Sequence, residues 1–173
     1  MTPVPGDPGS LSSCAAAVGA VGTRLAVHGE TVRRAFADLA EGWPGPRSVR
    51  TRRRGAALGV AAGAAADELA EVARVLQDQA TDLAELVARA RGVGERARAH
   101  GLEVRDGRVV PALGVLGEAD LDADRRRAET AATLQAELDL VLARHRRRRD
   151  AVVAALRAST HRLDVLAHDV RLR

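Results

Sequence analysis

The sequence predicts an all-α fold: three long helices in an elongated antiparallel bundle, with a small β-hairpin between the second and the third. Three observations carry this expectation. Apolar residues recur every seven positions along three long stretches of the chain. Those stretches are separated by two segments rich in turn residues, Glu41 to Pro46 and Gly101 to Pro111. In the second segment Val104 and Val109 flank an Asp106-Gly107 pair, a strong short-range signal for a two-residue hairpin loop.

The first helix is expected to follow a flexible lead, Met1 to Gly6. Asp7 serves as N-cap acceptor and Pro8 as first helical residue, where its missing N–H is harmless. Leu11, Val18, Leu25, Val32 and Leu39 then recur every seventh residue. Cys14, Val21 and Ala35 fill the alternate row of the stripe, which His28 interrupts. Gly19, Gly22 and Gly29 each lower helix propensity by about 1 kcal/mol relative to Ala. Close approach of a neighbouring helix, or a local bend, would account for them. The helix is expected to end near Ala40.

It must stop before Trp43. Pro44 and Pro46 cannot donate backbone hydrogen bonds and disfavour helical geometry in the residue before them, while Gly42 and Gly45 permit positive φ. Trp43 is the single Trp and Phe36 the single Phe, so the largest aromatic sits at the tightest bend. An indole there can fold over the base of the helical hairpin or face a partner. The Trp43-Pro44-Gly45 tripeptide between two helices resembles the WXG family, small helical hairpins tied to type VII (ESX) secretion in Gram-positive bacteria. The resemblance covers the first hundred residues or so. It implies a non-enzymatic module that works as a dimer, with itself or with a cognate partner.

The second helix is expected from Arg47 to His100. Its stripe is Leu58, Ala62, Ala65, Leu69, Val72, Leu76, Gln79, Leu83, Leu86, Ala90, Val93 and Ala97, with Gln79 as the sole polar member. Glu85 and Arg89 make a favourable i,i+4 pair on its outside. At 1.5 Å per residue this helix outreaches the first by roughly 30 Å, so other parts of the chain must cover its far half.

A two-stranded ribbon around Asp106-Gly107 is marginal alone and must lean on the helices or on a partner. Ala112 to Gly117 reads as a connector. A ribbon joining such a hairpin to further helix is similar to an arrangement in actinobacterial relatives of the WXG family. From Glu118 to Arg173 there is no Gly and no Pro. Leu121, Ala128, Ala131, Leu138, Leu142, Val152, Leu156, Leu163, Leu166 and Val170 keep one heptad register through the Arg144–Arg149 block. One continuous helix is therefore expected there, since a turn would shift the phase. The segments become 1–100, a WXG-like hairpin; 101–117, β-hairpin and connector; and 118–173, a long helix packing on the second. Together they are expected to form one structural unit.

Composition bounds the function. Of 173 residues 46% are apolar but only 1% aromatic, a palette for closely spaced helices and a poor one for stacking bases. All 27 basic residues are Arg, and 23 acids interleave with them, leaving a net charge of +4. Cys14, alone, excludes an internal disulfide and fits no metal-site spacing. No Sec-type leader is discernible at residues 1–10, and no apolar run is expected to span a bilayer without charges or interrupting glycines. The Gly59-x-x-x-Gly63 spacing, set between arginines and acids, reads as soluble helix packing.

Three arginine clusters, around Arg50 to Arg54, Arg125 to Arg127 and Arg144 to Arg149, suit phosphates, anionic headgroups or an acidic protein. A solvated helical face is the plainer reading, because consecutive residues point around the cylinder. His161, Asp164 and His168 share a face but adjoin arginines that would repel a cation. No Ser, His and acidic set is defensible, and Cys14 lacks a nearby base. No cofactor, metal or catalytic residue is expected.

The function expected is that of a WXG-like interaction module associated with type VII secretion. The rivals are an Arg-rich helical nucleic-acid-binding protein and a coiled-coil scaffold or neutraliser unrelated to secretion. Trp43 and Gly45 form the expected turn motif, and Leu58, Leu69, Val72 and Leu76 the expected interaction seam, supported by Leu11, Leu25, Leu39 and Leu83. A cytoplasmic location is expected. ESX substrates commonly carry a Tyr-containing export signal and this chain has no Tyr, so export would require a partner that supplies it.

Overall fold

The structure, a computed structural model, describes residues 3–42, 45–112 and 121–172. It contains helix α1 (Pro8–Gly42), helix α2 (Pro46–Ala99), strands β1 (Leu102–Arg105) and β2 (Arg108–Pro111), and helix α3 (Leu121–Leu172). The all-α class with one small hairpin between the second and third helices is what the heptad rows and the Asp-Gly pair called for. Trp43, the connector from Leu113 to Gly117 and the expected helix start at Glu118 lie outside the described residues. α1 begins at Pro8 as its cap chemistry requires, and ends at Gly42. Gly45 adopts φ +127°, and its carbonyl accepts the Val49 N–H at 3.1 Å, opening α2. α3 is one unbroken helix across the Arg144–Arg149 block.

Contacts divide the chain into two compact units. One comprises Met1–Pro8 with Gln79–Ala151, the other Gly9–Asp78 with Val152–Arg173. The boundaries cut through α2 and α3, whereas the sequence reading placed its segment boundaries at the loops. The physical reason is the short reach of α1. Its glycines lie against α2 no further along than Ala73, so the two halves of α2 acquire different neighbours.

In the unit holding α1, the helix is rotated from the expected face. Leu11, Val18, Leu25 and Val32 are half-buried, but the row beside them is Ala15, Gly22, Gly29 and Phe36. Cys14, Val21, His28 and Ala35 are exposed, so the alternate row of the sequence reading is corrected by one residue. Close approach is the cause. A Cβ on Gly29 would stand 2.6 Å from that of Ala62, and one on Gly22 3.1 Å from that of Leu69. Glycine at these positions lets the two backbones draw together, which a larger side chain would prevent.

In the other unit, Leu83, Leu86, Ala90, Val93 and Ala97 line the buried face of α2. Val93 and Ala97 share a core with Leu102 of β1 and with Leu134 and Leu138 of α3. The hairpin therefore leans on the helices. Its strands pair antiparallel through Leu102↔Pro111 to Arg105↔Arg108, and positive φ at Asp106 and Gly107 closes the two-residue loop. Gln135 of α3 ties it down: its Oε1 accepts the Val109 N–H at 2.7 Å and its Nε2 donates to Gly107 O at 3.2 Å. The residues expected to form a flexible lead do not all behave so. Val4 is completely buried, and Gly6 sits against Leu83, where a Cβ would meet Cδ2 at 3.0 Å. Within this unit the N-terminal segment covers part of the apolar face of α2.

Candidate interaction surface

The expected seam residues fall into two sorts. Leu76 is buried and Leu69 and Val72 are half-buried, Leu69 against Gly22 of α1. Leu58 is 41% exposed. The difference follows from what covers α2. α1 lies along α2 from Ala73 to Gly55, on the face that carries Leu69, Ala62, Gly59 and Gly55, while a neighbouring face stays open between α2 and the end of α3. There Leu58, Val60, Ala61 and Ala64 from α2 meet Leu166 and Val170 from α3 around a groove of about 490 Å³. Val60 is 71% exposed, and with Leu58 and Val170 it makes a contiguous apolar surface instead of a lone exposed residue. Gly45 is exposed at the start of the same helix, and Trp43 lies outside the described residues.

Sequence reasoning placed Leu166 and Val170 on the α3 stripe without assigning them to a site. The signal was present: their register matches that of the covered positions, and the face of α2 that stays open is the one beside the face on which α1 lies.

Charge is arranged unevenly around this groove. Arg54 and Arg171 line it, with Asp169 as the acid among them. Five arginines and no acid lie between Pro46 and Ala66. No acid occupies the first turn of α2, the end of a helix that itself carries partial positive charge. Further along, α2 and α3 are fastened by an ion pair in which Arg162 donates to both Glu68 oxygens at 2.7 and 2.8 Å. The bond from Arg162, aided by Ser159, pulls the Glu68 carboxyl down from 4.5 to about 2.

The remaining arginine clusters are partly structural. In their own unit, Arg144 and Arg148 both pair with Asp82, Arg144 at 3.7 Å. Arg96 clamps Glu137 through one nitrogen at 2.6 and 2.7 Å. His145, at the expected seam position beside them, is buried, and burial, then Arg149 and Arg146, lowers its pKa. Arg149 itself is exposed and pairs with its neighbour Asp150. The Glu85–Arg89 pair forms at 3.9 Å.

His161, Asp164 and His168 are all exposed. Among the described residues, no group of three or more His, Cys, Asp or Glu side chains is placed to hold a metal ion. A hollow between β2 and α3 is lined by Arg108, Gln135, Asp139 and Arg146 among others, but Gln135 there is already engaged with the hairpin backbone. Pro8–Leu39 is long and apolar enough to cross a bilayer by length and composition alone. Its glycines do not interrupt the helix, and Arg24, Glu30, Arg33, Arg34 and Asp38 lie within it.

The chain matches no protein-family model, and no curated protein or solved structure matches it at a significant level.

Proposed function

We propose that this chain is a non-enzymatic helical interaction module of the WXG type, associated with type VII secretion, whose helical faces pair with a second copy or with a cognate small helical protein. The open apolar groove beside Leu58 and Val60 carries the reading. A groove floored by Ala, Leu and Val on two regular helices is complementary to a third helix, which such a surface takes up by ridges packing into it. The sequence supplies the link to secretion through Trp43-Pro44-Gly45 between α1 and α2. Gly45 supports that turn by taking a positive φ that only glycine adopts readily. Because the chain has no Tyr for an export signal, it travels with its partner or acts inside the cell.

Deleting the secretion ATPase in the native host tests the link to secretion. The reading expects loss of the chain, or of a small helical protein that co-purifies with it, from the culture medium. Unchanged levels of both would overturn it.

A further inference from the structure

We infer that the groove between residues 54–64 of α2 and 166–171 of α3 receives an amphipathic helix of a partner protein that presents an apolar ridge flanked by carboxylates. The inference rests on the interaction reading above and adds the chemistry of the partner.

The apolar part follows from the floor. Leu58, Ala61 and Ala64 of α2 stand three residues apart, so they lie on one face, and Leu166 and Val170 of α3, four apart, form the opposite wall. A groove with two such apolar walls suits a docked helix whose own apolar anchors recur at i, i+3 or i+4, and i+7.

The charge part follows from the rim. Arg47, Arg50 and Arg54 precede Leu58 at intervals of three and four residues, and Arg53 lies just beside that stripe. Four of the five early arginines of α2 thus share the face that forms the groove. Arg47, Arg50 and Arg53 are exposed and make no ion pair among the described residues. This contrasts with Arg144, Arg148 and Arg162, which are held by Asp82 and Glu68. Arg171 adds to the same rim from α3, and Asp169 is the acid lining the groove. Gathering like charges at the positive end of a helix is unfavourable in the free chain. A partner bringing carboxylates relieves that repulsion, and charge complementarity at a rim also sets orientation and speeds encounter. Duplex nucleic acid would match the arginines but leave the apolar floor unoccupied.

The test uses the full-length chain and a synthetic amphipathic peptide with a Leu ridge and Glu flanks, compared with the same peptide carrying Lys flanks. Titration calorimetry should show the Glu peptide binding at least about tenfold more tightly than the Lys peptide. Val60→Glu, at a solvent-facing position, should weaken the Glu peptide by about tenfold without altering the melting temperature. Arg50→Glu combined with Arg53→Glu should narrow the preference for Glu over Lys flanks. Equal binding of both peptides, or binding indifferent to Val60→Glu, would overturn the inference. So would binding of a DNA duplex or of phosphatidylglycerol vesicles in place of the Glu peptide. Loss of peptide binding in a chain that still self-associates would remove this inference alone. A monomer that binds neither peptide would remove the interaction reading as well.

Discussion

Phe36 of α1 fills the space that a side chain on Gly55 of α2 would need: a Cβ there would come within 2.1 Å of the Phe36 Cγ. The chain's one Phe thus packs directly on the backbone of the second helix. The same row of α1 carries Ala15, Gly22 and Gly29, and where it changes to Phe36 the small residue is on α2 instead, at Gly55.

Gly55→Ala should therefore destabilise the protein, although Ala is the better helix former. Overpacking of this kind costs about 1–3 kcal/mol, against a propensity gain of about 1 kcal/mol. The expected balance is a loss of roughly 2 kcal/mol at most, or a melting temperature lower by about 4–8 °C. Gly63→Ala, where a Cβ would meet nothing within 4 Å, should instead raise it by about 2–4 °C. Thermal melts of the pair decide the matter. Equal shifts would mean that the Phe36–Gly55 contact does not exist.

The helix count, the hairpin and the continuity of α3 were legible in the sequence because each rests on a local rule. Periodicity marks the helices, Asp106-Gly107 the loop, and the absence of Gly and Pro the unbroken third helix. The facing of α1 was not legible. Val21 and His28 compete with Gly22 and Gly29 for the second row of the stripe. A hydrophobicity pattern favours Val21, whereas the structure favours the residue that allows closest approach. Val4 was missed for a related reason: a short Pro- and Gly-rich lead gives no periodic signal, and its burial depends on the uncovered face around Leu83. The groove was half legible. Leu58 belonged to the expected seam, but its openness depends on which face of α2 the glycines of α1 select.

Glu68 and Arg162 give a pH signature. The folded pKa of Glu68, about 2, lies below its ordinary 4.5. The stabilisation is thus fully present above the ordinary value and fades as pH falls through 4.5 towards 2. Carbon-detected NMR titration should place the Glu68 midpoint near 2 in the native chain and near the ordinary value in Arg162→Gln. The gap in melting temperature between the two proteins should shrink over the same interval. It is expected to be small even at neutral pH, since the Arg162 side chain is 54% exposed and the pair is screened. An ordinary midpoint for Glu68 in the native chain would contradict the ion pair.

Gln135 holds the hairpin through one accepting and one donating bond. Gln135→Ala leaves the Val109 N–H without its side-chain acceptor, at a cost of roughly 1–3 kcal/mol if water does not replace it. Amide exchange at Val109 should accelerate, while exchange in the middle of α2 should be unaffected. Unchanged protection at Val109 would show that the hairpin is held by packing at Leu102 alone.

The central claim is that the chain works by association through exposed helical faces. Leu58, Val60 and Val170 leave apolar surface that a helical protein ordinarily covers. Light scattering of the purified full-length chain at micromolar concentration tests this most directly. The account predicts the mass of two chains, with salt slowing assembly more than it dissolves the pair, or else a single chain whose uncovered groove binds an apolar dye. The mass of a single chain at every concentration, together with no binding of an apolar dye, would contradict it.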